Sequence, residues 1–244
     1  MTAGRHHFFT QPDLIGEQSL VLRGPDAHHA KVLRLGVGET ISVADGTGRV
    51  VDAVVTRAGS DEVEARVVLV HELRPHRPVL VLWQALVKRE SMDEVVQKAV
   101  EVGARRVVPF AAERSIVRWD AEKRERLRDR WEQVALAAAK QSRSPWLTVV
   151  DPVEDGLSAV EDDAGPILVL HERAETHFRD ALPAALPHTV TIVIGPEGGL
   201  TDDEVDAVTG RGGTAVTLGD RILRTETAGA IGLALASYAY GVMG

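Results

Sequence analysis

The 244-residue chain contains no cysteine, which removes several chemistries at once. Structural disulfides, thiolate-ligated zinc, cysteine-bound iron–sulfur clusters and a thiol nucleophile are all excluded. The cytoplasm is the expected compartment for such a chain. Residues 1–12 lack the apolar core of a secretory signal, so none is expected. The longest uncharged stretch, residues 227–244, is interrupted by Gly229, Gly232 and Gly241. It suits a buried or interface helix better than a membrane span, which needs about 20 mostly apolar residues. No repeat or low-complexity run is present, and neither the Lys-Ser/Thr of a phosphate-binding loop nor a complete G-x-G-x-x-G fingerprint occurs. No metal site is expected.

Excess positive charge is also lacking. The net charge is −8, which by itself argues against a nucleic-acid partner. The balance is local, however: residues 114–143 hold nine Lys/Arg against five Asp/Glu, a net +4. Apolar residues at 44% and charged residues at 26% are those of a folded globular protein.

Two regions differ in pattern. In the first, residues 40–44 and 49–57 flank Asp45-Gly46-Thr47-Gly48, a hairpin signal, and residues 63–70 form a further strand. Pro25-Asp26 opens a short helix running to Arg34. The expectation is a small β-barrel over residues 1–74, with the Arg74-Pro75-His76-Arg77-Pro78 stretch as linker. From residue 75 to 244, strands (79–85, 106–110, 167–170, 189–194, 214–218) alternate with helices, which predicts an α/β domain around a parallel sheet. Ser91-Met92-Asp93-Glu94 and Thr201-Asp202-Asp203-Glu204 read as capping boxes, with Gly103 closing the first of those helices. Asp120 opens a long helix with Leu127, Trp131, Val134 and Ala138 on one face.

In such sheets ligands bind beyond the carboxyl ends of the strands. Three strand ends carry unusual residues: Leu170-His171-Glu172, then Ile194-Gly195-Pro196-Glu197-Gly198-Gly199, then Leu218-Gly219-Asp220-Arg221-Ile222-Leu223-Arg224-Thr225-Glu226-Thr227-Ala228. The glycine loop lets backbone approach a ligand closely, while Glu197 would repel a triphosphate. A nucleoside without phosphate, such as the cationic S-adenosylmethionine, fits that chemistry. In the last segment Thr225 or Thr227 could serve as a plain helix N-cap. Two arginines beside Ile222-Leu223 are not explained that way, and arginine suits phosphate and base edges.

Together these residues resemble the RsmE family, enzymes that methylate uridine N3 in small-subunit (16S) ribosomal RNA and belong to the SPOUT, or trefoil-knot, class. The resemblance runs through His29 with Val32-Leu33-Arg34, through Lys88 and Val96-Gln97-Lys98-Ala99 with Glu101, Gly103 and Pro109, and through Glu113-Arg114-Ser115 and Gln141-Ser142. Lys140 departs from it, standing where the family carries an acidic residue.

The resemblance implies a PUA-like RNA-binding domain over 1–74 and a knotted methyltransferase domain over 75–244, acting as a cytoplasmic homodimer without membrane or metal. It implies S-adenosylmethionine bound by Leu170, His171, Glu172, Ile194, Gly195, Pro196, Glu197, Gly198, Gly199, Leu218, Gly219, Ile222, Leu223, Thr225 and Ala228. Arg224 is the candidate for holding the uridine or its developing charge, and Glu226 the candidate base or arginine orienter. His171 is a further base by residue type, although a structural histidine is the plainer reading. Arg5, Arg23, Lys31, Arg34, Lys88, Arg114 and Arg143 are candidates for RNA contact. Ribose 2′-O methylation and a non-catalytic ribosome-assembly factor are the alternatives.

Overall fold

A computed structural model describes residues 6–115, 119–160 and 165–243, the side chains of Arg89 and Glu90 excepted. The chain divides into two compact units, one of residues 1–75 with 139–147, the other of residues 76–138 with 148–244.

The first unit is a curled five-stranded sheet. Its strands are β1 (His6–Phe9), β2 (Ser19–Arg23), β3 (Thr40–Ala44), β4 (Arg49–Ala58) and β5 (Glu62–Glu72), in the order β1-β3-β4-β5-β2. Period-two alternation sends Leu20 and Leu22, Val51, Ala53 and Val55, and Val63 and Ala65 to one interior, where Phe8, Ile41 and Val43 join them. Helix α1 (Pro25–Val32) covers one end and contributes Ala30. The Asp45–Gly48 segment turns as expected, with an Asp45 carboxylate oxygen accepting from the Thr47 amide at 2.7 Å.

That turn has a second task. Gly48 N–H donates to Pro145 O at 3.1 Å, and Leu147 N–H to Gly46 O at 3.0 Å. A Cβ on Gly48 would lie 2.1 Å from the Trp146 ring, and one on Gly46 2.7 Å or less from Leu147 side-chain carbons. Both glycines leave room for the 145–147 segment, which explains why residues 139–147 belong to this unit. Lys140 belongs to it too: its ammonium lies 2.8 Å from Asp26, with both side chains largely buried. A cation at 140 therefore has a local partner at the start of α1.

The second unit is a six-stranded sheet in which every pairing is parallel: β6 (Val79–Ala85), β7 (Arg106–Phe110), β8 (Val149–Val150), β9 (Ile167–Leu170), β10 (Thr189–Ile194) and β11 (Thr214–Val216), in the order β11-β9-β10-β6-β7-β8. Strands buried on both faces read as continuous apolar runs. Along β6, Val81, Trp83 and Ala85 enter one core with Phe110, Val169 and Val193. Leu82 and Gln84 face α5 (Thr225–Ala239), where a Cβ on Gly229 would meet both. The small residues Gly229, Gly232 and Ala236 bring that helix close to β6 and β10.

Helices α2 (Arg89–Glu101), α3 (Ala121–Ser142) and α4 (Asp202–Thr209) complete the set. In α3 the buried stripe is Leu127, Trp131, Ala135 and Ala138, with Val134 only half-buried. The Thr201–Glu204 capping box is formed, the Thr201 hydroxyl accepting from the Glu204 amide and the Glu204 carboxylate from the Thr201 amide.

Three local expectations are corrected. Ser91 does not cap α2: Lys88 is its N-cap, and the Met92 amide bonds the Lys88 carbonyl at 3.1 Å. Full burial of Met92 draws the preceding residues into the first turn. Strand β11 stops at Val216 because Thr217 turns away, its amide bonding Thr176 O and its hydroxyl accepting from the Gly219 amide. Neither Thr225 nor Thr227 caps α5; Arg224 does, without a side-chain bond.

Candidate functional site

The carboxyl ends of β9, β10 and β11 converge, and a cavity of about 780 Å³ opens beyond them. That size suits a nucleoside-sized ligand. Three segments build its wall: residues 170–177 after β9, 194–200 after β10, and 216–228, which runs from the end of β11 into α5.

The glycine loop after β10 is shaped by close approach. A Cβ on Gly195 would fall 3.0 Å from both the amide nitrogen and the Cγ of Leu200. Gly199 adopts φ +71° and its amide closes a turn onto Pro196 O at 2.9 Å. Arg114 braces the loop, one guanidinium nitrogen reaching Gly198 O at 3.3 Å and Leu200 O at 3.2 Å. Glu204 adds a tie, accepting from the Glu113 amide at 2.9 Å while completing its capping box.

Of the expected cofactor residues, Leu170, His171, Glu172, Ile194, Gly195, Pro196, Glu197, Gly199, Leu218, Gly219, Ile222, Leu223, Thr225 and Ala228 all line the cavity. Gly198 is not among its lining residues and packs against Arg114 instead. His171 Nδ1 faces the Arg173 amide at 3.4 Å, which engages one ring nitrogen locally. Both catalytic candidates lie at the cavity. Arg224 is 86% exposed at its side chain, Glu226 only 15%, and the two are 3.8 Å apart. A buried carboxylate anchoring a solvent-facing guanidinium leaves the arginine free to meet an incoming group.

The RNA-contact candidates separate. Lys88 and Arg114 line this cavity. Arg23, Lys31, Arg34 and Arg143 are exposed on the first unit, with Arg23 paired to Glu62 at 2.9 Å. Arg34 and Arg143 share a positive φ, 56° and 55°, which non-glycine residues rarely adopt. Arg5 lies outside the described residues.

Residues that the sequence reading did not single out also appear. Arg173, Glu175, His177 and Thr217 line the cavity, and Arg173 pairs with Asp202. Gln84 lies just beneath, fully buried, and donates to the Thr225 hydroxyl at 2.9 Å. Its signal was available: one amide in the otherwise apolar strand VLVLWQA.

The lining fits S-adenosylmethionine in kind. Apolar Leu170, Ile194, Leu218 and Leu223 suit a base, and Glu172, Glu197 and Glu226 suit a sulfonium cation. The cationic lining residues lack the glycine-rich Lys-Ser/Thr cradle of a triphosphate site.

Fold and site therefore define a parallel α/β domain that binds a nucleoside ligand at its strand ends and presents an arginine there. Residues 75–237 match the RNA methyltransferase domain family, and residues 22–68 the RNA methyltransferase PUA domain family. The ribosomal RNA small subunit methyltransferase E of Mycobacterium tuberculosis is 36% identical over 239 residues, covering 96% of this chain and 90% of that protein. Its Bacillus subtilis counterpart is 31% identical over 227 residues, covering 89% of each. The crystal structure of the Neisseria gonorrhoeae enzyme bound to S-adenosyl methionine superposes with a TM-score of 0.86 at 27% identity, covering 97% and 98% of the two chains. The chain belongs to the ribosomal RNA small subunit methyltransferase E (RsmE) family.

Proposed function

We propose that this chain methylates small-subunit (16S) ribosomal RNA from S-adenosylmethionine, at N3 of a uridine. The observation that carries this reading is the meeting, in one cavity, of the glycine loop at the end of β10 with the Arg224–Glu226 pair at the start of α5. Family membership and the relatives' names support the reaction and the substrate class.

When bound, S-adenosylmethionine supplies a methyl group already activated for attack. The residues of the chain have two tasks, alignment and charge. Uridine N3 carries a proton near neutral pH and must release it before the nitrogen lone pair can attack. The proton leaves to a base, the N–C bond forms, and the carbon–sulfur bond breaks with its electron pair staying on sulfur. Arg224 holds the uridine and stabilises the anion that develops as N3 is deprotonated. Glu226 orients Arg224 and is the candidate to take the proton. The cavity walls hold donor and acceptor in register, an arrangement worth about 10⁵–10⁸ M in effective concentration at its best. No cysteine is required, because the nitrogen itself is the nucleophile.

We assign RNA capture to residues 1–74 and catalysis to residues 75–244, with Lys31, Arg34 and Arg143 as phosphate contacts and Lys88 at the cavity mouth. Homodimerisation is supported by exposed apolar surface: Ile222 at the site is 84% exposed, and Leu235 and Tyr238 on the last turns of α5 are 41% and 71% exposed. The strand order, with α5 returning from the edge strand β11 to β10 and β6, supports a trefoil knot. A ribosomal RNA substrate supports a cytoplasmic location; no described helix is long and apolar enough to cross a membrane.

The test is methyl transfer from labelled S-adenosylmethionine to unmodified small ribosomal subunits, followed by nucleoside analysis. The expected product is 3-methyluridine. A 2′-O-methylated nucleoside would keep the class and overturn the acceptor atom. Absence of cofactor binding would favour an assembly factor.

A further inference from the structure

Gln84 is anomalous where it stands. It occupies the centre of the parallel sheet, its backbone paired with Ile194 of β10 on one side and Pro109 of β7 on the other. The side chain is fully buried on the face covered by α5. Its Nε2 donates to Ala85 O at 3.1 Å and to Thr225 Oγ1 at 2.9 Å. Its Oε1 is buried without a hydrogen-bond partner among the described residues, 3.6 Å from where a Cβ on Gly229 would lie. A buried amide oxygen left unmatched is unfavourable, so stability alone would favour an apolar side chain here.

The Thr225 hydroxyl passes the chain on. It accepts from Gln84 and donates its single proton to Gly195 O at 2.8 Å. With Thr225 only 8% exposed, this hydroxyl has no proton left for a ligand. The relay thus begins in the middle of the sheet, crosses the first residue of α5, and ends on the first residue of the glycine loop. Arg224, the candidate catalytic arginine, immediately precedes Thr225.

We propose that Gln84 and Thr225 are positioning residues, a brace that sets the spacing between the cofactor loop and Arg224 without contacting cofactor or RNA themselves. The inference rests on the methyltransferase reading above and assigns Thr225 a different role from the cofactor contact expected of it. Cofactor affinity and the order of the first turn of α5 then depend on the same hydroxyl.

The test uses the full-length protein and two readouts. One is S-adenosylmethionine affinity by calorimetry. The other is amide exchange, without ligand, at Thr227 and Ala228, whose N–H groups both bond Arg224 O. Thr225→Val should weaken cofactor binding and accelerate that exchange, each about three- to tenfold, as expected for loss of one net hydrogen bond. Gln84→Leu should act in the same direction, the double variant should add little, and Thr225→Ser should restore both readouts. Lys140→Ala, a destabilising change in the first unit, should leave both unchanged.

Weaker binding of Thr225→Val with unaltered exchange would overturn the brace in favour of direct cofactor contact by the hydroxyl. Faster exchange with unaltered affinity would reduce it to a purely structural bond, and no change in either would remove it. If wild-type protein bound no S-adenosylmethionine, the methyltransferase reading and the cofactor half of this inference would fall together. Exchange would then decide the brace alone.

Discussion

Arg224 shows how much a single side chain can be asked to do. It is held by its position at the head of α5 and by Glu226, yet its guanidinium faces solvent. Truncation should therefore cost turnover and little stability. Arg224→Ala is expected to lower kcat by about 10²–10³, the range for removing one donor to a developing anion, with cofactor Kd unchanged. Single-turnover kinetics beside calorimetry would check it, and full turnover would disprove the role. Lys140 makes the complementary case. Its partner Asp26 is largely buried, so Lys140→Ala should destabilise by about 1–3 kcal/mol through the carboxylate it strands. Chemical denaturation measures that, and Lys140→Glu should be worse because two carboxylates would then meet.

At the scale of elements, the strands of the second unit were legible to the residue where both faces are buried, as at β6, β7, β9 and β10. Continuous apolar runs bounded by polar turns leave little choice of limits. Errors cluster where a tertiary bond overrides a local signal. Ser91 carries a good capping pattern, but the burial of Met92 starts α2 earlier. Thr225 is a good N-cap by type, but its hydroxyl is drawn to Gly195, a partner remote in sequence. Strands β1 and β2 were not foreseen, since edge strands of four and five residues are too short for an alternation to stand out. The three loops of the site were visible because each breaks an apolar run with charge, two of them with glycine as well. The brace under them was not, since it joins residues 141 positions apart. The Gly48 turn offers a test at this scale. Gly48→Ala combines φ +104° with a Cβ 2.1 Å from Trp146, so it should destabilise by at least about 1–3 kcal/mol, read as a lowered denaturation midpoint.

The whole molecule responds to pH and to its partner. His7 is buried in the first unit, its Nδ1 3.2 Å from the Ser42 hydroxyl, and burial holds its pKa below 6.5. The unfolded chain therefore binds this proton more readily than the folded one. Stability from this residue is complete above about pH 6.5 and declines as pH falls from there through the lowered folded value. Melting temperatures across that window should show the decline, and His7→Phe should flatten it. On the partner side, a net charge of −8 makes naked RNA a poor match. Assembled subunits, whose proteins offset phosphate repulsion, should be methylated faster than deproteinised RNA, and equal rates would count against this.

The seating of Trp146 and Leu147 on the glycine turn bears on synthesis. The first unit is complete only when residues 139–147 are present. On the ribosome its sheet can therefore form early, but its final contacts wait until residues 76–138 of the second unit have also been made. A chain released after residue 75 would carry an unfilled seat beside Gly46 and Gly48, and a peptide spanning residues 139–147 is the natural ligand for it.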